Sequence, residues 1–203
     1  MNKSQKRAAL ATRAPSPRHW KLTADQYQRM GETGILHEDD HVELLEGELY
    51  EMSPIGSWHN SCVNRFNRRL SAGVGDRGIV QVQGSFRLSP DAEPEPDILV
   101  LRFRPDFYEQ ALPGPEDVLL LIEVAETSLA YDRDFKLPLY ARAAIPDAWL
   151  LNHEAVRLEV YREPRDGVYQ SVTFVERGGS VTPLAFPALT IQMSDILGSD
   201  AAD

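Results

Sequence analysis

Residues 117–140 read DVLLLIEVAETSLAYDRDFKLPLY, and positions 118–125 are apolar except for Glu123. A strand with one wet face alternates apolar and polar residues. This near-continuous run therefore belongs at the centre of a sheet, covered on both sides. Counting by twos places Leu119, Leu121, Glu123 and Ala125 on one face. A helix follows, read from Asp132 to Ala144. Pro138 fits there only near the helix start, where the first amides have no intrahelical partner.

Outward from this centre the chain is a succession of short strands and helices. Upstream, DILVL (97–101) leaves the proline-rich turn SPDAEPEP (89–96), and IVQVQGSFRL (79–88) alternates as a strand does. Ser57 opens a helix to about Val74, with Cys62, Val63, Phe66, Leu70 and Val74 as its apolar face. HVELLEGELYEMSP (41–54) reads as two short strands around Glu46-Gly47. Thr23 caps a helix from Ala24 to about Thr33. Downstream, AWLLN (148–152), VRLEVY (156–161) and VYQSVTFV (168–175) are strands, the last two joined by a turn at Arg165-Asp166-Gly167. The segment through Leu189 and Ile191 reads as edge structure. The pattern is α+β, a mixed β-sheet flanked by α-helices.

Size and composition narrow the classes. The chain has 203 residues, 42% hydrophobic and 26% charged, which suits one globular domain. No run approaches the ~18 uninterrupted apolar residues of a membrane-spanning helix, so no membrane partner is expected. Cys62 is the sole cysteine, which excludes an intramolecular disulfide and a cysteine zinc site. With no signal-peptide pattern, the expected location is cytoplasmic. Residues 1–21 carry Lys3, Lys6, Arg7, Arg13, Arg18 and Lys21 and no acid, which leaves 15 basic against 31 acidic residues beyond them. The expected organisation is a flexible basic arm over 1–21, one domain over 22–198 and a tail over 199–203. The acidic body is a poor general binder of phosphate backbones, and the arm would offset this locally.

Acids on buried strands carry the chemistry. An unpaired carboxylate at Glu123 would cost roughly several kcal/mol, so a cation, an arginine or an opening to water must compensate. Asp97 follows Pro96 where a strand leaves its turn. Two carboxylates on neighbouring strand ends are natural ligands for magnesium, which takes one or two carboxylates, waters and substrate phosphate. Lys136 comes early in the next helix, where an ammonium group can hold an attacking water and offset charge on phosphorus. Tyr140 lies four residues on, along the same helical face. Gln83 alternates inward near Asp97. Each residue also has a plain structural reading: Glu123 paired with Arg133, Asp97 capping a turn, Lys136 solvated. Their joint arrangement is harder to reach by accident.

Three stretches carry a resemblance over nearly the whole domain: VELLEGELYEMSPIGSWHN (42–60), VQGSFRLSPDAEPEPDILVL (82–101) and LLIEVAETSLAYDRDFKLPLYARAAIPDAWLLN (120–152). They resemble the Uma-type restriction endonuclease family of the PD-(D/E)XK nuclease superfamily. The resemblance implies a restriction-endonuclease-like fold with Asp97 and Glu123 as metal ligands and the Val124 carbonyl as a third. The superfamily's basic pattern has lysine two positions after the strand acid, where this chain has Ala125. The resemblance implies that Lys136 has taken over from the helix. It also marks Glu46, for a second metal or a water, and His59, for proton transfer or a phosphate contact. A hairpin-turn acid and a satisfied core histidine are the structural alternatives for those two. The implied activity is Mg2+- or Mn2+-dependent hydrolysis of phosphodiesters, DNA before RNA, with the homodimeric assembly common among restriction-type enzymes. Two rivals remain: a noncatalytic nuclease-fold module that binds a protein or nucleic-acid partner, and a hydrolase of smaller phosphate esters.

Overall fold

The computed structural model describes residues 19–198, apart from the Glu38 side chain. Most of the expected arm and the expected tail lie outside these residues. The first helix, α1 (Ala24–Glu32), starts where its cap predicts. Thr23 Oγ1 accepts from the Gln26 amide at 3.2 Å, and Gln26 Oε1 accepts from the Thr23 amide at 2.9 Å. This reciprocal pair satisfies amides that the helix itself cannot. A hairpin of β1 (Val42–Leu45) and β2 (Glu48–Glu51) follows, then α2 (Ser57–Val74). The five apolar residues expected inside α2 are buried.

The main sheet has six strands in the order β3-β4-β5-β6-β7-β8. They are β3 (Gly78–Val82), β4 (Ile98–Arg102), β5 (Val118–Ala125), β6 (Asp147–Asn152), β7 (Arg157–Arg165) and β8 (Val168–Glu176). Only β5 and β6 are parallel; the other pairs are antiparallel. A parallel pair needs a crossover, here the helical stretch over 129–142. This comprises α3 (Leu129–Tyr131), a π turn (Asp132–Lys136) and α4 (Leu137–Arg142). One core lies between the sheet and α2, holding Phe66, Ile98, Ile122 and Trp149. The other lies between the sheet and 129–142, holding Leu99, Leu121, Tyr140 and Leu150. Burial of β5 on both faces gives the apolar run its physical reason. A small pair, β9 (Ser180–Val181) and β10 (Ile191–Gln192), and a short α5 (Met193–Leu197) close the first core. No helix among the described residues is long and apolar enough to cross a membrane.

Three local expectations are corrected. The strand expected over 79–88 stops at Val82, because Gln83 turns the chain at φ 47°. Leu119 does not share a face with Leu121. The register shifts so that Val100 pairs with Leu120 and Leu101 with Val118, and Leu119 joins the core under α2. A bulge residue breaks the two-residue period on which the expectation rested. The helix starts at Leu129, ahead of Asp132, and widens into the π turn. There the Leu137 amide donates to the Asp132 carbonyl, five residues back. Pro138 comes next and has no amide to restore the four-residue ladder.

Candidate active site

Five pieces of chain meet at the end of the sheet where β5 leaves it: β1, the segment before β4, β5, the π turn and the start of α2. Lys136 is at their centre. It is 4% exposed, a burial an ammonium group tolerates only with close partners. Its Nζ lies 2.8 Å from Glu123 Oε1 and 3.2 Å from Glu43 Oε2. Tyr140, one turn on, donates its hydroxyl to Glu123 Oε1 at 2.6 Å. Tyr131 donates to Glu43 Oε1 at 3.1 Å, and the Glu95 amide to Glu43 Oε2 at 3.2 Å. Asp97 sits beside this group, with its Oδ1 2.9 Å from His59 Nε2 and its Oδ2 accepting the Val124 amide at 2.8 Å. Asp132 opens the π turn, buried, and accepts from Ser128 Oγ at 2.5 Å.

The electrostatics are those of crowded acids. Burial pushes the Glu123 carboxyl up to about 8. Lys136 pulls against this, and the neighbouring Asp132 and Asp97 carboxylates reinforce it. Burial also raises Glu95 and Asp132; Glu43 reinforces the first, while Lys136 and Ser128 oppose the second. Burial opposes the charge on Lys136, but Glu123, Tyr140, Glu43 and Asp132 overcome it and hold the ammonium form firmly. At His59 burial disfavours the imidazolium. The hydrogen bond and charge of Asp97 outweigh that, and the pKa rises. Its other nitrogen, Nδ1, is buried without a hydrogen-bond partner.

The sequence matches the family model described as "Uma2: Putative restriction endonuclease" over residues 24–194. The chain belongs to the Uma2 family. Among solved structures, a crystal structure titled as a "putative nuclease belonging to DUF820" from Anabaena variabilis shares the fold. Its TM-score is 0.67 at 14% identity, over 87% of this chain and 97% of that one. No curated protein matches.

In this Uma2 chain, Asp97, Glu123, Lys136, His59 and Val124 come together. Val124 meets the group through its amide, whereas its carbonyl was the expected donor. Gln83 touches Asp97 only by backbone, its amide donating to the Asp97 carbonyl at 3.0 Å. Glu46 does not join them. It stands half-exposed in the hairpin turn at φ 49°, paired with Arg142. Its place is taken by Glu43, three residues earlier and 2% exposed. Glu43, Glu95 and Asp132 carry no role in the sequence reading, yet all three stand in this group. A signal was present for Glu43: in VELL an acid sits inside a run that is buried almost throughout.

Among the described residues, no three His, Cys, Asp or Glu side chains are grouped as a ready metal cage. Magnesium needs only one or two carboxylates with waters, and Asp97 and Glu123 are such a pair in kind. Glu43, Asp97, Glu123 and Asp132 face the single ammonium of Lys136 and the imidazole of His59. That excess of negative charge suits a divalent cation.

Proposed function

We propose that this chain is a metal-dependent endonuclease of the PD-(D/E)XK type that hydrolyses phosphodiester bonds, with DNA as substrate. The observation that carries the reading is the buried Lys136 held between Glu123 and Glu43, with Asp97 at the next strand end. Asp97 and Glu123 would hold Mg2+ or Mn2+, with the Val124 carbonyl as the third donor that the family resemblance implies. When bound, the ion supplies Lewis acidity toward a nonbridging phosphate oxygen. Lys136 orients the attacking water and offsets the charge that develops on phosphorus. Tyr140 fixes the Glu123 carboxylate. His59 fixes the Asp97 carboxylate through Nε2, and the proton that the attacking water gives up leaves to solvent. Attack in line breaks the bond from phosphorus to the 3′ oxygen, which leaves with the electron pair and takes up a proton. The products are a 3′-hydroxyl and a 5′-phosphate.

The test is cleavage of plasmid and single-stranded DNA with Mn2+ or Mg2+, beside Asp97→Ala and Lys136→Ala. The expected result is cleavage by the parent, stopped by EDTA and by either substitution while the circular dichroism stays native. Cleavage that survives Lys136→Ala would sink the reading. A second reading, a noncatalytic module binding a protein or nucleic acid, is favoured by the acidic body, which at a formal −10 repels a polyanionic substrate. Such a module keeps its partner when Asp97 or Lys136 is replaced, and cleaves nothing.

A further inference from the structure

The outer face of α2 has no part in the chemistry above, and it lies in one of the acid-free stretches of the chain. No acid occurs between Glu51 and Asp76, in a protein with 31 Asp and Glu residues. Ser57, Asn60, Ser61, Asn64, Arg65 and Arg68 line a shallow groove of about 590 Å³ along this helix. They recur at three- and four-residue spacing, so they form one stripe on the side away from Cys62, Phe66 and Leu70. Arg65 is committed, its Nη1 donating to the Ile196 carbonyl at 2.9 Å. Among the described residues, the side chains of Ser57, Asn60, Ser61, Asn64 and Arg68 have no hydrogen-bond or ion-pair partner.

We infer that this stripe is the surface on which the phosphate backbone of duplex DNA docks, an inference that rests on the endonuclease reading. Hydroxyls, carboxamides and an arginine are the groups that bind phosphate and sugar oxygens and set the position of a duplex. Charge complementarity favours that partner, since the groove lining holds two arginines and no acid, the nearest carboxylate being Glu126 against Gly56 at the Ser57 end. From residue 57 to 68 the helix rises about 16 Å, about five base-pair steps of duplex at roughly 3.4 Å each. The stripe also leads to the right place. Its first residue, Ser57, lies two positions before His59, which turns inward onto Asp97 at 2.9 Å. The stripe thus begins at the end of α2 that carries the site, on the opposite side of the helix from His59.

The test is binding of a short fluorescent duplex to the full chain in EDTA, read by polarisation across a salt series. Arg68→Glu should weaken binding about tenfold and make the salt slope shallower by about one. The double change Asn60→Ala, Asn64→Ala should weaken binding and leave the slope unchanged. Arg165→Glu, exposed on the hairpin between β7 and β8, should bind as the parent does. Melting temperatures equal to the parent's exclude misfolding. Unchanged binding by Arg68→Glu, an equal loss in Arg165→Glu, or competition by polyglutamate as strong as by duplex overturns the inference. If the parent cleaves plasmid and Arg68→Glu cleaves it with the same KM, this inference alone fails. If the parent neither binds nor cleaves DNA, the endonuclease reading fails with it.

Discussion

Lys136 is where folding and proposed chemistry meet. It is the shared partner of two buried carboxylates, Glu123 and Glu43. Removing one member of a buried ion pair leaves the other uncompensated, a loss of about 3–5 kcal/mol. Lys136→Met should show that loss in urea denaturation at about pH 8.5, where the Glu123 carboxyl is ionised as well as Glu43; a change under about 1 kcal/mol, the range of an exposed pair, would contradict the burial. The pH dependence has a definite sign. The Glu123 carboxyl is raised from 4.5 to about 8 in the folded state. The folded protein therefore holds the proton more tightly than the unfolded chain, and this group makes stability fall as pH rises between those values. Glu123→Gln should flatten that slope in melting curves. Lys136, raised above 10.5, adds stability that is present throughout this window and is lost only at higher pH. A divalent cation that binds the deprotonated carboxylates competes with the same proton. Mg2+ should therefore raise the melting temperature more at about pH 8.5 than at about pH 5.5. Equal shifts would argue that the ion binds elsewhere.

At the scale of elements, β5 and α2 were legible because both are governed by burial, which a sequence displays directly. An eight-residue apolar run fits only the middle of a two-layered sheet, and the α2 stripe fits only a helix on its face. Leu121→Ala, at a fully buried position of β5, should cost about 2–5 kcal/mol. Leu119→Ala, at the bulge and only partly buried, should cost distinctly less in the same denaturation assay. Equal losses would contradict the register. What was not legible depended on contacts between distant segments. The bulge at Leu119 is set by pairing with Val100 and Leu101, and no local pattern announces it. Glu43 and Glu46 are both acids of one hairpin. Which of them reaches Lys136 depends on the face β1 turns to a helix some ninety residues later. The two-residue period separates the two acids onto opposite faces, but it does not say which face meets the π turn. Asp97, Glu123 and Lys136 stand together in space, and the sequence singles them out because Asp97 follows Pro96 at a strand start, Glu123 interrupts a buried strand and Lys136 comes early in the next helix.

For the whole molecule the governing quantity is charge. The protein carries a formal −10, so a nucleic-acid partner meets net repulsion except where acids are absent. The α2 stripe is one such place within the fold. Residues 1–18 are another acid-free stretch, with Lys3, Lys6, Arg7, Arg13 and Arg18, and they lie ahead of the family match at 24–194. Deleting residues 1–18 takes the formal charge to −15 and leaves every described core residue in place. The truncated chain should keep the parent's melting temperature, because both core layers and the α1 capping pair remain. Its affinity for duplex DNA should fall, and fall most at low salt. Each lysine or arginine that pairs with a phosphate contributes about 0.9 to the slope of log affinity against log salt. The slope lost on truncation therefore counts how many of the five basic residues engage the backbone. The slope lost on Arg68→Glu counts the contact made by α2. If the two losses add in a doubly altered chain, the arm and the helix hold separate phosphates. If they do not, the two sets of cations compete for the same stretch of backbone.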